Sequence, residues 1–163
     1  MCGIAGVIGW DACKEEQVPI LKSIQDTLTR RGPDQQGIYT NEGAALIQTT
    51  LTTADSIKSG QPMEFKTMDY ANYVLVYSGK LYNTKELRDE LIALGHELEG
   101  NSDTEMILHA YFQWKENCLK RLNGVFAFGI WEEHNRRLFL ARDYNGVKPL
   151  FYARKKAFQR IQR

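Results

Sequence analysis

The 163 residues have room for one domain with a real core, and 43% hydrophobic with 25% charged residues is the balance of a folded chain rather than a disordered one. Lys plus Arg total 21 against 20 Asp plus Glu, so a net charge of +1 makes no electrostatic case for nucleic acid or an anionic membrane surface, and function must come from a local site. The longest apolar runs, Tyr73 to Tyr77 and Val125 to Trp131, fall far short of the roughly 18 residues of a membrane-spanning helix, and the start lacks the pattern of a secretory signal, so a cytoplasmic protein is expected.

Gly3 to Trp10 is a short, Gly-punctuated apolar run and reads as a buried strand. Between residues 14 and 28, Val18, Leu21, Ile24 and Leu28 recur at helical spacing, and Gly32 with Pro33 ends that helix. Gly37 to Thr53 is β-like, whereas residues 54 to 71 are polar and turn-rich and read as a long surface connection. Tyr73 to Tyr77 is a buried strand with Ser78-Gly79 at its end.

Asn83 is expected to cap a helix from Thr84 to Leu94, with Leu87, Leu91 and Leu94 on one face and Gly95 closing it. Ser102 and Glu105 fit a capping box for a second helix that buries Met106, Ala110 and Trp114. Strands follow at Val125 to Trp131, Leu138 to Ala141 and Leu150 to Ala153, joined by turns at Glu133-His134-Asn135 and Asn145-Gly146. Residues 155 to 163 are basic and patternless, a tail or the remnant of a truncation. Strands apolar on both faces, with helices between sheet segments, point to a layered protein whose helices cover its sheets.

The three cysteines, Cys2, Cys13 and Cys118, form no CxxC pair and argue against a disulfide framework or a zinc site. Cys2 directly follows the initiator methionine. As a small hydrophobe it would simply open the first strand. If Met1 is removed, Cys2 carries a thiol beside a free α-amine whose reference pKa is roughly 7.7 to 8.0, so the amine can act as base for its own thiol without a histidine. A redox-sensing thiol is another reading, with Cys13 as the nearby resolving cysteine.

The start Met1-Cys2-Gly3-Ile4-Ala5-Gly6 resembles that of the class II glutamine amidotransferases, which are N-terminal nucleophile hydrolases. Arg31-Gly32-Pro33-Asp34 matches the family's RGPD loop, and Gly60-Gln61-Pro62-Met63 its GQPM-type segment. Ser78-Gly79-Lys80-Leu81-Tyr82-Asn83 is similar to NGEIYN, and Ser102-Asp103-Thr104-Glu105 to SDTE. Two further blocks, Leu122 to Phe128 and Ala141 to Leu150, complete the series, the latter in the form of the asparagine synthetase branch. The resemblance covers residues 1 to about 153 in register.

The resemblance implies an α+β fold, the four-layer αββα sandwich of the N-terminal nucleophile hydrolases, stopping short of the family's final strands. It implies a type 2 glutamine amidotransferase domain over residues 1–153, followed by a basic tail or truncation remnant at 154–163. The thiolate attacks the side-chain amide of glutamine, a thioester and ammonia form, and water releases glutamate. Carried over by motif, Cys2 is nucleophile and base, the Gly79 N–H is one oxyanion donor, and Asp103 binds the substrate α-ammonium. No cofactor and no metal is implied. The partners are glutamine, an ammonia-using synthetase domain or subunit, and a second copy in a homodimer. No SGGxDS-like pyrophosphate loop occurs in the sequence, so a synthetase domain is expected elsewhere.

Three positions depart from the family pattern. Ser78 stands where an asparagine supplies the second oxyanion donor, and loss of one such donor costs roughly 100- to 1000-fold in other hydrolases. In Gln48-Thr49-Thr50-Leu51, aligned with HxRL, Thr50 replaces the arginine that clamps the substrate carboxylate, which leaves Arg30 or Arg31 to supply a cation. Lys80 replaces a glutamate on the ammonium side, so one hypothesis is that it meets the substrate carboxylate. The alternative to a working glutaminase is a degenerate domain that serves as a scaffold or partner-binding module, or that acts on a different amide.

Overall fold

A computed structural model describes residues 2–11, 17–51, 60–67 and 71–154. Strand β1 (Gly3–Asp11) pairs antiparallel with a long β2 (Gln35–Thr50), and helix α1 (Val18–Leu28) with a 3-10 turn at Thr29–Arg31 connects them. The second sheet runs in chain order: β3 (Met63–Lys66), β4 (Asn72–Leu81), β5 (Gly124–Glu132) and β6 (Arg137–Arg142), all antiparallel neighbours. Between β4 and β5 the chain makes α2 (Thr84–Ala93), α3 (Asp103–Trp114) and a 3-10 turn at Lys115–Lys120.

The side-chain alternation of the strands dictates the layering. Ala44 and Leu46 of β2, with Ile4 of β1, face Val74 and Val76 of β4 and Trp131 of β5, and this set is the core between the sheets. The intervening residues Ala45 and Ile47 face Leu21, Ile24 and Leu28 of α1. On the other side, Leu75, Tyr77, Leu81, Phe126, Phe128 and Ile130 meet Leu87 and Leu91 of α2 and Met106, Ala110 and Tyr111 of α3. Because both faces are covered over Ala44 to Ile47 of β2 and Tyr73 to Tyr77 of β4, those stretches read as apolar runs without polar alternation. The result is an αββα sandwich.

Several local expectations need correction. Met63–Lys66 lies in the segment read as a surface connection, yet it pairs with Leu75 to Asn72, because the β4 edge offers it a ladder. Strand β4 runs on to Leu81, so Ser78 and Gly79 lie within it rather than at its end. Asn83 makes no side-chain cap. Its amide donates to the Arg121 carbonyl at 2.7 Å and accepts from the Asn123 N–H at 2.9 Å, tying α2 to the start of β5.

The capping box of α3 is half formed. Ser102 accepts from the Glu105 N–H at 3.3 Å, but the Glu105 carboxylate turns to the N–H groups of Glu99 and Gly100 at 2.7 and 3.0 Å. Leu94 is exposed, and α3 buries Ile107, Leu108 and Tyr111 more completely than Trp114. The strand expected at Leu150 to Ala153 does not form, and Phe151 and Tyr152 are 90% and 84% exposed. Cys13, residues 52–59 and the basic residues 155–163 lie outside the described residues.

Candidate active site

The site is built where the two sheets meet at the start of β1. Gly3 pairs with Thr49, so the next step of the register sets Cys2 opposite Thr50. By strand alternation Cys2 shares the face of Ile4, which looks into the gap between the sheets. Across that gap the Ser78 hydroxyl donates to the Cys2 carbonyl oxygen at 3.0 Å. Cys2 is half-buried and its thiol is free.

The edge of β4 that turns away from β5 explains how Gly79 is presented. Met63 of β3 pairs with Leu75, the last such pair before β3 ends. Two residues on, the Tyr77 N–H donates to Gln48 Oε1 at 2.8 Å and the Tyr77 carbonyl accepts from Gln48 Nε2 at 2.5 Å. Four residues beyond Tyr77, the Leu81 N–H donates to Asp103 Oδ2 at 2.8 Å. Backbone groups two residues apart point to the same strand edge, so the Gly79 N–H faces this edge between the Gln48 and Asp103 contacts. A side chain at residue 79 is excluded, because a Cβ there would lie 2.4 Å from the Val125 carbonyl oxygen of β5.

Asp103, at the first turn of α3, is held from several sides. Oδ2 accepts from the Tyr77 hydroxyl at 2.9 Å as well as from Leu81, and Oδ1 faces the Thr84 hydroxyl at 3.4 Å. The Lys80 ammonium lies 3.6 Å from the same Oδ1. Burial, and then the Asp103 carboxylate, push the Tyr77 phenol far above its ordinary pKa, with a smaller contribution from Cys2. Tyr77 is therefore a fixed hydroxyl donor to Asp103. The hypothesis that Lys80 meets a substrate carboxylate finds it instead on the carboxylate expected to bind an ammonium.

Thr50 is buried, and its carbonyl accepts from the Asp34 N–H at 3.1 Å, while Leu51 is exposed. Gly32 packs so tightly on this end of β2 that a Cβ would lie 2.4 Å from the Thr50 nitrogen. The RGPD loop thus flanks the Cys2 end of the sheet, with its first residue Arg31 exposed and the preceding Arg30 half-exposed. The structure brings Cys2, Thr50 and Ser78 to the gap, sets Gly79 next to Ser78 with its N–H on the β4 edge, and groups Lys80 with Asp103. Sequence reasoning overlooked Gln48 and Tyr77. The signal for Gln48 was a lone amide continuing the apolar run Ala44 to Ile47.

Asp143 anchors the last matched block. Its carboxylate accepts from the N–H groups of Phe126, Val147 and Lys148 at 3.2, 2.8 and 2.9 Å. Desolvation raises its pKa, but these backbone donors outweigh that and hold it below the usual carboxylate value. Its role is to fix the turn after β6.

An αββα sandwich with a cysteine at the start of its first strand is the architecture of the N-terminal nucleophile amidotransferases. The chain belongs to the glutamine amidotransferase domain family, whose profile matches residues 1–160. It is 40% identical over 154 residues to the glutamine-hydrolysing asparagine synthetase 3 of Bacillus subtilis (strain 168), covering 94% of this chain and 25% of that protein. It is 31% identical over 153 residues to the glutamine-hydrolysing asparagine synthetase of Zea mays, covering 93% of this chain and 25% of that protein. Among solved structures, glutamine phosphoribosylpyrophosphate amidotransferase from B. subtilis aligns with a TM-score of 0.53 at 25% identity, over 65% of this chain and 24% of that one. The chain spans about a quarter of the length of these relatives. Among the described residues no helix is long and apolar enough to cross a membrane.

Proposed function

We propose that this domain hydrolyses the side-chain amide of glutamine to glutamate and ammonia, with Cys2 as nucleophile once Met1 is removed. The observation that carries the reading is the juxtaposition of Cys2, tied to Ser78, with a Gly79 N–H facing the open edge of β4. The Cys2 thiol gives its proton to its own α-amine and the thiolate adds to the amide carbonyl carbon. The oxygen, now negative, takes the Gly79 N–H as donor. Collapse breaks the carbon–nitrogen bond, the amine returns the proton to the leaving ammonia, and water cleaves the thioester. The ammonia acceptor in this reading is a synthetase domain or subunit, and the setting is the cytoplasm.

A second reading, a domain of low glutamine turnover or one acting on a different amide, draws on two contacts. The single Ser78 proton is engaged by the Cys2 carbonyl, and Asp103 already faces a cation in Lys80. Labelling with an electrophilic glutamine analogue, mapped by mass spectrometry on chain confirmed to lack Met1, decides between active and inert thiol. An adduct on Cys2, with ammonia release that disappears in Cys2→Ala, is the expected result. Absence of any adduct overturns the enzymatic reading.

A further inference from the structure

Gln48 is fully buried and is the side chain that joins the two sheets most directly at the site end. Its amide behaves as a short piece of strand, one acceptor and one donor set against the N–H and C=O of Tyr77. Strand β3 does not do this work, since its pairing stops at Met63 and the preceding Gln61 carbonyl packs beside Gly37 instead. Two residues beyond Gln48, on the same face of β2, lies Thr50, opposite Cys2. One residue beyond Tyr77 is Ser78, which holds the Cys2 carbonyl. The Gln48–Tyr77 contact therefore sits between the strand that carries the nucleophile's partner and the strand that carries Gly79.

We infer that Gln48 is a positioning residue: its bidentate amide sets the spacing of β2 and β4, and so the distance between Cys2 and the Gly79 N–H. It stands in for a neighbouring strand at Tyr77 and stops there, and the next N–H along that edge is that of Gly79. An apolar side chain of equal size would fill the space but leave the Tyr77 N–H and C=O buried without partners, and the strands would shift to satisfy them. The inference rests on the glutaminase reading for its catalytic consequence, and the sheet spacing is measurable without it.

The test compares Gln48→Leu and Gln48→Glu with the parent chain. In Gln48→Leu, kcat for ammonia release from glutamine is expected to fall about 10- to 100-fold, as a misplacement on the order of an ångström does. KM and the rate of Cys2 alkylation by iodoacetamide stay within about twofold, because alkylation needs the thiol but no oxyanion donor. Gln48→Glu supplies the same donor and acceptor only when its carboxyl is protonated, so its kcat relative to the parent recovers as pH falls, while the ratio for Gln48→Leu stays flat. Parallel loss of alkylation, unchanged kcat, or identical pH profiles for the two variants would overturn the inference.

A second measurement needs no turnover. In a Ser78→Cys background the rate of disulfide closure onto Cys2, driven by oxidised glutathione as the two-electron oxidant and followed by mass spectrometry, reports the gap directly, since closure requires Cβ atoms within roughly 4.5 Å. Adding Gln48→Leu is expected to slow closure at least about tenfold, and an unchanged rate overturns the positioning role. Absence of ammonia release from the parent defeats the glutaminase reading alone, and the closure rate still decides the role of Gln48.

Discussion

Lys80 and Gly79 are neighbours on β4 with opposite demands. Lys80 lies half-exposed with its ammonium 3.6 Å from Asp103 Oδ1, so in the proposed reading a substrate ammonium at Asp103 shares or displaces it. A half-exposed ion pair is worth about 0.2 to 1 kcal/mol, so Lys80→Ala is expected to lower KM for glutamine by up to about fivefold while kcat stays unchanged. Steady-state ammonia release measures both, and a KM that rises would show Lys80 binding the substrate instead. Gly79 has no such latitude. A Cβ there meets the Val125 oxygen at 2.4 Å and the Phe126 Cα at 2.7 Å, so Gly79→Ala must part β4 from β5. Overpacking of this kind costs about 1 to 3 kcal/mol, to be read from urea denaturation, with kcat falling as the proposed oxyanion donor moves.

Among the elements, α3 links the site to a buried histidine. Its N-terminal Asp103 lies in the candidate site, while His109, two turns along, is buried against Phe65 with its Nδ1 3.0 Å from that of His96. Burial, and then His96, push the His109 pKa from 6.5 down to about 4. Below pH 6.5 the unfolded chain therefore takes up a proton that the folded chain refuses until about pH 4. The stabilisation is complete above the unfolded value and is lost as pH falls across this window, by up to about 3 kcal/mol. Urea midpoints at pH 7.5 and 4.5 should separate accordingly, and His109→Phe should narrow the separation. Equal separation in both chains would exclude His109 as its source.

At the scale of the whole molecule, a two-stranded sheet lies on a four-stranded one, and the polypeptide after β6 adds no strand within the described residues. Phe151 and Tyr152 follow the Asp143-anchored turn at 90% and 84% exposure, and Tyr144 within that turn is exposed as well. Side chains that bury nothing contribute no transfer free energy, so the double substitution Phe151→Ser with Tyr152→Ser should leave Tm within about 1 °C. Exposed aromatics do promote association, so sedimentation velocity should show less self-association in the variant. A clear drop in Tm would mean that these rings are covered in solution.

Much of this organisation was legible without coordinates. Helical periodicity located α1, α2 and α3, the apolar runs located the strands, and Cys2, Gly79 and Asp103 were named from their motifs. These signals are local, carried by residues within a turn or a strand of one another. What stayed hidden depends on partners far along the chain. Met63–Lys66 becomes a strand only because β4 offers an edge, and Glu105 leaves its capping box because the Glu99 and Gly100 N–H groups lie closer to hand. Lys80 and Asp103 are 23 positions apart, and Gln48 and Tyr77 are separated by 29. By itself the sequence determined the class of fold and singled out Cys2 as the nucleophile to propose, because hydrophobic period and motif are properties of short segments. Only the tertiary structure decided which polar group closes the β4 edge and which cation Asp103 meets, because buried hydrogen-bonding groups take their partners from whatever the packing brings alongside.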